Sequence, residues 1–194
     1  MNFSSLSSDA GITHPTARKW LSALEASYIC FILQPHYKNF NKRMTKAPKV
    51  YFYDTGLLCY LLRINNIDQL KVHPLRGAVF ENWVITEYIK IYANNGRSAP
   101  LYFWRDQHGH EVDLVIDHGL NLELVEIKSG MTFNKDYFKQ INWLNKLQNQ
   151  QDGLRIYGGT SKIPLGSQKG IPWKSLGMAG IWDENQGRIR FASP

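Results

Sequence analysis

Cysteine is scarce. Cys30 and Cys59 are the two in 194 residues, both in apolar surroundings, and they show no paired spacing of a disulfide framework. They read as reduced core residues of a cytosolic protein. No apolar run approaches the ~20 residues of a membrane-spanning helix, and the N-terminus lacks a signal-peptide pattern, so neither a membrane span nor a secretory leader is expected. No G-x-x-x-x-G-K-S/T loop occurs, which excludes ATP binding by the usual phosphate cradle. Internal repeats and low-complexity segments are also missing. Acidic residues are few in the first part: residues 1–72 carry 9 Lys and Arg against 4 Asp and Glu, whereas residues 73–194 carry 14 against 12. The formal charge of +7 is therefore concentrated toward the N-terminus. An anionic partner, nucleic acid foremost, fits this imbalance; so does an ordinary basic soluble domain.

What is present suffices for a real core, with 43% hydrophobic and 13% aromatic residues. Residues 1–29 read as a helix-turn-helix. Thr13 caps the longer helix, Pro15 sits in its first turn, and Ala17, Trp20, Leu21, Leu24 and Tyr28 form one apolar stripe. His14, Arg18, Lys19 and Ser22 point away from that stripe, either toward a DNA groove or simply into solvent. Ile29 to Leu33 and the run Lys49-Val-Tyr-Phe-Tyr53 are β-prone and suggest a hairpin, giving a winged-helix arrangement. Between them Lys38, Lys42, Arg43 and Lys46 occur without an acidic residue, so this wing could lie along phosphates or merely aid solubility. Asp54 caps a further helix, and a polar segment through Lys71 and Pro74 reads as a linker. These features divide the chain into a winged helix-turn-helix domain, residues 1–72, and a second domain, residues 73–194.

The helix expected from Gly77 to Tyr92 is apolar over half its circumference through Phe80, Val84, Ile85, Tyr88, Ile89, Ile91 and Tyr92. Glu81 lies in the middle of that arc. A carboxylate buried there needs a metal, a hydrogen-bond partner, a proton, or a cation such as Arg76 or Arg105. Downstream, Glu111-Val-Asp-Leu-Val-Ile-Asp117 and Leu122-Glu-Leu-Val-Glu-Ile-Lys128 read as two strands joined by a turn at Asp117-His118-Gly119. Alternation puts Val112, Leu114 and Ile116 on one face, with Glu111 and Asp113 on the other. Glu126 and Lys128 share a face and stand ~6.6 Å apart along the strand. The next amphipathic helix carries Gln140 within its apolar arc, an odd choice for packing alone. His108 and His110, flanking Gly109, read as part of a polar turn more readily than as metal ligands.

Three carboxylates gathered within roughly 4 Å repel by several kcal/mol at the effective dielectric of a partly buried site, and one lysine offsets part of that. A hard divalent cation, Mg²⁺ or Mn²⁺, resolves the rest through oxygen ligands. In that reading Asp113 and Glu126 are direct ligands, the Ile127 carbonyl is a third, Glu81 holds metal-bound waters, and Lys128 orients the attacking water or stabilises a pentavalent phosphate. This is an apparatus for phosphodiester hydrolysis.

The order and spacing of Glu81, Asp113, Glu126-Ile127-Lys128 and Gln140 resemble the motif of the PD-(D/E)XK nuclease superfamily. The wider pattern Gly77-Ala-Val-Phe-Glu81-Asn-Trp, Phe103-Trp-Arg-Asp106, Glu111-Val-Asp-Leu and Glu126-Ile-Lys-Ser resembles the DUF4143 family. Lys49-Val-Tyr-Phe-Tyr-Asp-Thr-Gly-Leu is similar to what precedes that domain in the same proteins. The resemblance implies an α/β fold with a mixed sheet, in which a winged-helix region is followed by a restriction-endonuclease-like α-β-β-β-α-β core. It implies a magnesium-dependent nuclease acting on DNA, with the six motif positions as site residues. In that family these regions usually follow an AAA+-type ATPase domain, so the chain is either the C-terminal part of such a protein or a shortened relative. The alternative function is a non-catalytic DNA-binding or interaction module that serves an ATPase; a purely structural assembly domain is a further alternative.

Overall fold

The computed structural model describes residues 3–36, 47–132, 138–148, 153–183 and 188–191. Two helices open the chain, α1 (Phe3–Asp9) and α2 (His14–Ala26), the second capped by Thr13 with Pro15 in its first turn. The strands β1 (Cys30–Pro35) and β2 (Lys49–Phe52) pair antiparallel, with Phe31 opposite Tyr51 and Leu33 opposite Lys49. Asp54 caps α3 (Thr55–Leu61) by accepting the Leu57 N–H. The segment expected as a linker instead contains a helix, α4 (Ile67–Val72), because the Asn66 side chain accepts the Gln69 N–H and closes its first turn.

The elements that follow are α5 (Arg76–Asn94), β3 (Leu101–Arg105), β4 (Glu111–Asp117), β5 (Leu122–Lys128), α6 (Lys139–Gln148) and β6 (Gly153–Tyr157). They are succeeded by β7 (Ile163–Leu165), β8 (Gln168–Pro172), α7 (Lys174–Ala179), β9 (Gly180–Asp183) and β10 (Arg188–Phe191). The fold is mixed α/β around an eight-stranded sheet in the order β2-β1-β3-β4-β5-β6-β8-β7. β3, β4 and β5 form an antiparallel meander, whereas β5–β6 and β6–β8 pair in parallel. β9 and β10 make a separate antiparallel pair.

The sheet runs across the boundary expected near residue 72. β1 joins β3 in parallel, with Gln34 opposite Tyr102 and Pro35 opposite Phe103. One face of the sheet packs on α5, where Val84, Ile85, Tyr88 and Tyr92 meet Phe31, Leu33, Tyr51, Leu114, Ile116, Val125 and Ile156. The other packs on α6, where Ile141 and Leu144, with Phe138 just before the helix, meet Trp104, Val112, Val115 and Leu124. Burial of these apolar faces at about 25 cal/mol per Å² is the main force holding the layers together.

Two expected faces are corrected. On α2, Ala17 and Leu21 are buried, but Trp20 and Leu24 are 58% and 41% exposed, and Tyr28, beyond the end of the helix, is 77% exposed, so the stripe turns only one edge inward. On β4, Val112 does not share a face with Leu114 and Ile116. The pairing shifts from Tyr102 opposite Val115 to Trp104 opposite Val112, which leaves β4 with one extra residue. That bulge reverses the alternation, sending Val112 toward α6 and Leu114 and Ile116 toward α5.

Candidate functional site

The bulge also sets the position of Asp113. The ladder between β4 and β5 ends at Leu114 opposite Val125, and Asp113 lies one residue beyond it. Its Oδ2 accepts the Ile127 backbone N–H at 2.8 Å and lies 3.3 Å from Lys128 Nζ. The same ammonium is 2.6 Å from Glu126 Oε1. Asp113 and Glu126 are almost wholly buried, at 8% and 4% exposure. Glu126 Oε2 is buried with no hydrogen-bond partner among the described residues.

Two carboxylates are therefore buried beside the Lys128 ammonium, with the charge of Arg155 also acting on Glu126. Burial pushes the Glu126 carboxyl up to about 7, the Asp113 charge adds to that rise, and Lys128 and Arg155 oppose it. Burial also raises Asp113; Lys128 works against this and Glu81 adds to it. Burial alone would lower Lys128, but Asp113 and Glu126 hold its ammonium above the usual range.

Glu81 sits in a neighbouring cluster. Its Oε1 accepts from Lys49 Nζ at 2.9 Å and from the Tyr51 hydroxyl at 2.5 Å. Lys49 forms a second close ion pair with Glu111, and Glu111 Oε2 lies 3.4 Å from Arg105 Nε. The Tyr51 hydroxyl stays a donor, because burial and the Glu81 charge both raise its pKa. Asp113 connects the clusters, since the charges of Glu81 and Lys49 both act on it.

The cation on Glu81 is thus Lys49 rather than either arginine considered from sequence. Arg76 Nη2 instead donates to the Ser129 carbonyl at 2.7 Å, and Arg105 goes to Glu111. Lys49, Tyr51 and Glu111 were not recognised in the sequence as members of the site. The alternation of Lys49-Val-Tyr51 was a usable signal, since residues two apart on a strand share a face.

Gln140 lies on α6 beside the buried Ile141, and its Oε1 is buried without a hydrogen-bond partner among the described residues. His14, Arg18, Lys19 and Ser22 all occupy exposed positions on α2. Lys38, Lys42, Arg43 and Lys46 lie outside the described residues. His108 and His110 belong to a turn organised by Asp106, whose Oδ1 accepts both of their backbone N–H groups. The His110 ring bonds Asp106 Oδ2 through Nδ1 and stacks on Trp143 at 4.5 Å.

Among the described residues, no group of three or more His, Cys, Asp or Glu is gathered to hold a metal ion. The gathered carboxylates are Asp113 and Glu126. Their chemistry fits a hard divalent cation: all-oxygen donors, mutual repulsion, and an unbonded buried Oε2. Glu81, engaged by Lys49 and Tyr51, fits an outer role through water better than direct ligation.

A family model described as Domain of unknown function (DUF4143) matches residues 76–176, just over half of the chain. The chain belongs to the DUF4143 family. The matched stretch of this DUF4143 chain contains Glu81, Asp113, Glu126, Lys128 and Gln140. A second model, Domain of unknown function (DUF8612), matches residues 1–68, which include Lys49 and Tyr51. Uncharacterized proteins of Mycobacterium tuberculosis and Mycobacterium bovis are each 37% identical over 106 residues. That stretch is 55% of the present chain and 23% of each relative, so the match spans about a quarter of their length. No solved structure matches the chain significantly. Among the described residues, no helix is long and apolar enough to cross a membrane.

Proposed function

We propose that the chain is a Mg²⁺- or Mn²⁺-dependent nuclease that hydrolyses phosphodiester bonds of DNA. In this reading a winged-helix module precedes a PD-(D/E)XK-like core. The observation that carries it is the buried Asp113–Glu126 pair bridged by the Lys128 ammonium, with Glu126 Oε2 left unbonded among the described residues. The element order α5-β3-β4-β5-α6-β6, an antiparallel meander followed by a parallel strand, supports the core assignment. The helices α1 and α2 followed by the antiparallel β1–β2 pair support the winged-helix order of elements, with that pair continuing into the eight-stranded sheet.

Asp113 and Glu126 would hold the cation, with the Ile127 carbonyl as a third oxygen. The bound ion would supply charge neutralisation and a more acidic water. Lys128, with its side chain 38% exposed, holds its ammonium at the solvent edge of the buried pair, where it can steady an attacking water or a developing phosphate charge. Glu81, whose charge acts on Asp113, would orient water from the α5 side, and Gln140 on α6 would offer its unbonded buried Oε1.

The test is cleavage of supercoiled plasmid and of single-stranded DNA with Mg²⁺, with Mn²⁺ and with a chelator, for the wild type and Lys128→Ala. Metal-dependent cleavage that falls by about 100-fold or more in the variant is expected. Cleavage that survives both the chelator and the substitution would sink the reading. The second reading, a non-catalytic DNA-binding module serving an ATPase, gains from the engagement of Glu81 by Lys49 and Tyr51. It predicts strongly salt-dependent DNA binding without cleavage in either metal.

A further inference from the structure

Glu81 is held by a frame that extends well beyond its own helix. The next residue, Asn82, is 2% exposed, and its side-chain amide grips the backbone of Phe52 on β2. Asn82 Oδ1 accepts the Phe52 N–H at 2.7 Å, and Asn82 Nδ2 donates to the Phe52 carbonyl at 2.9 Å. Thr86, one turn along α5, brings its hydroxyl within 3.2 Å of the same carbonyl, sharing its one proton with the nearer Asn82 carbonyl at 2.8 Å. β2 is therefore fixed against α5 at Phe52, and strand alternation places Tyr51 beside Glu81 with Lys49 on the same face. Tyr51 is 6% exposed and its ring stacks on Phe31 at 5.6 Å, so its hydroxyl has little freedom to leave the Glu81 carboxylate. Lys49 spans Glu81 and Glu111 and lies 5.3 Å above the Phe103 ring.

We propose that Lys49 and Tyr51 are positioning residues for Glu81, so that the β1–β2 hairpin completes the candidate metal site from outside the DUF4143 match. The proposal rests on the nuclease-like reading given above. Its logic is that of an outer layer in a metal centre: a carboxylate that steadies bound water is useful only if its own orientation is fixed. Asn82 and Thr86 fix the strand, Tyr51 directs one donor, and Lys49 supplies the countercharge. Removing the Tyr51 hydroxyl loosens the Glu81 oxygen and leaves the contacts of Asp113 with Ile127 and of Glu126 with Lys128 in place, whereas removing Lys49 also withdraws a charge that acts on Asp113.

The test is binding of Mn²⁺ alone, followed by electron paramagnetic resonance, in the full chain and in Tyr51→Phe, Lys49→Met and Lys49→Arg. Circular dichroism verifies folding. Tyr51→Phe keeps the ring in the core and decides the question if Lys49→Met does not fold. Tyr51→Phe and Lys49→Met are expected to weaken Mn²⁺ binding about 10- to 100-fold, and Lys49→Arg less than Lys49→Met. In a Glu81→Gln background the Tyr51→Phe effect should vanish, which a merely structural role would not produce. Folded variants that bind Mn²⁺ as tightly as the wild type overturn the positioning role and leave the metal-site reading standing. A wild-type chain that binds no Mn²⁺ overturns both.

Discussion

Asp113 accepts the Ile127 backbone N–H at 2.8 Å, so one carboxylate both faces the candidate site and ties β4 to β5 where their ladder ends. Substitutions at Asp113 must be read with both roles in mind. Asp113→Ala leaves the Ile127 N–H without that acceptor, a loss of about 1–3 kcal/mol, and removes a neighbour of Lys128. Asp113→Asn keeps an oxygen for Ile127 and removes the charge. Both variants should lose DNA cleavage in Mg²⁺, whereas thermal unfolding should show Asn closer to the wild type than Ala. An Asn variant that cleaves at nearly the wild-type rate would show that the Asp113 charge is not used in the reaction.

Stability should fall as pH rises from about 4.5 to about 7 in metal-free protein. Glu126 has a folded-state pKa raised to about 7 from its ordinary 4.5, first by burial and then by Asp113. Between those values the folded chain holds a proton that the unfolded chain has released, so raising the pH favours unfolding. A shift of this size corresponds to a loss on the order of 3 kcal/mol across the window. The raised Asp113 carboxyl acts in the same direction. Urea unfolding at several pH values measures the slope, and Glu126→Gln should flatten most of it. Adding Mn²⁺ at pH 7.5 should restore stability in the wild type, because a ligand of the native state shifts the equilibrium by mass action. A wild-type slope that rises with pH over this range would contradict the assignment.

Gly158 is where the end of β5 touches the turn after β6. Its N–H donates to the carbonyls of Lys128 and Gly130 at 3.2 and 3.1 Å. A Cβ at this position would lie 2.4 Å from the Ser129 carbonyl oxygen, a backbone atom that no side-chain rotation can move away. Gly158→Ala should therefore destabilise the chain by about 1–3 kcal/mol and displace the backbone that carries Lys128. Denaturant unfolding tests the first consequence. A lowered Mn²⁺ affinity in the folded fraction tests the second.

Local periodicity made much of this molecule legible, and its limits are physical. The apolar arc of α5 and the β4-turn-β5 unit follow from patterns that repeat within a few residues, so their elements agree with the sequence reading. The β4 bulge does not follow from such a pattern, since it depends on pairing with β3 and inverts the side-chain alternation only in that context. Similarly, the need for a cation near Glu81 could be read from its place in an apolar arc. Its identity could not, because Lys49 is 32 positions away and reaches Glu81 through a strand that local pattern places in a hairpin with β1 rather than against α5. Placing Asp113 and Glu126 together required the end of the β4–β5 ladder as well as the Glu-x-Lys spacing.

On α2 the same limit gives a direct test. Periodicity groups Ala17, Trp20, Leu21, Leu24 and Tyr28, but it cannot say how much of that stripe is covered. Leu21 is 7% exposed and Trp20, its neighbour, is 58% exposed. Leu21→Ala should then cost about 2–5 kcal/mol through lost burial and a residual cavity. Trp20→Ser should change stability by no more than about 0.5 kcal/mol, as substitutions at uncovered surface positions usually do. Urea unfolding of the two variants is sufficient to separate the cases. If Trp20→Ser proved the more damaging, the helix would have to be rotated so that Trp20 is buried. His14, Arg18, Lys19 and Ser22 would then face a different direction from the one required by the proposed DNA contact.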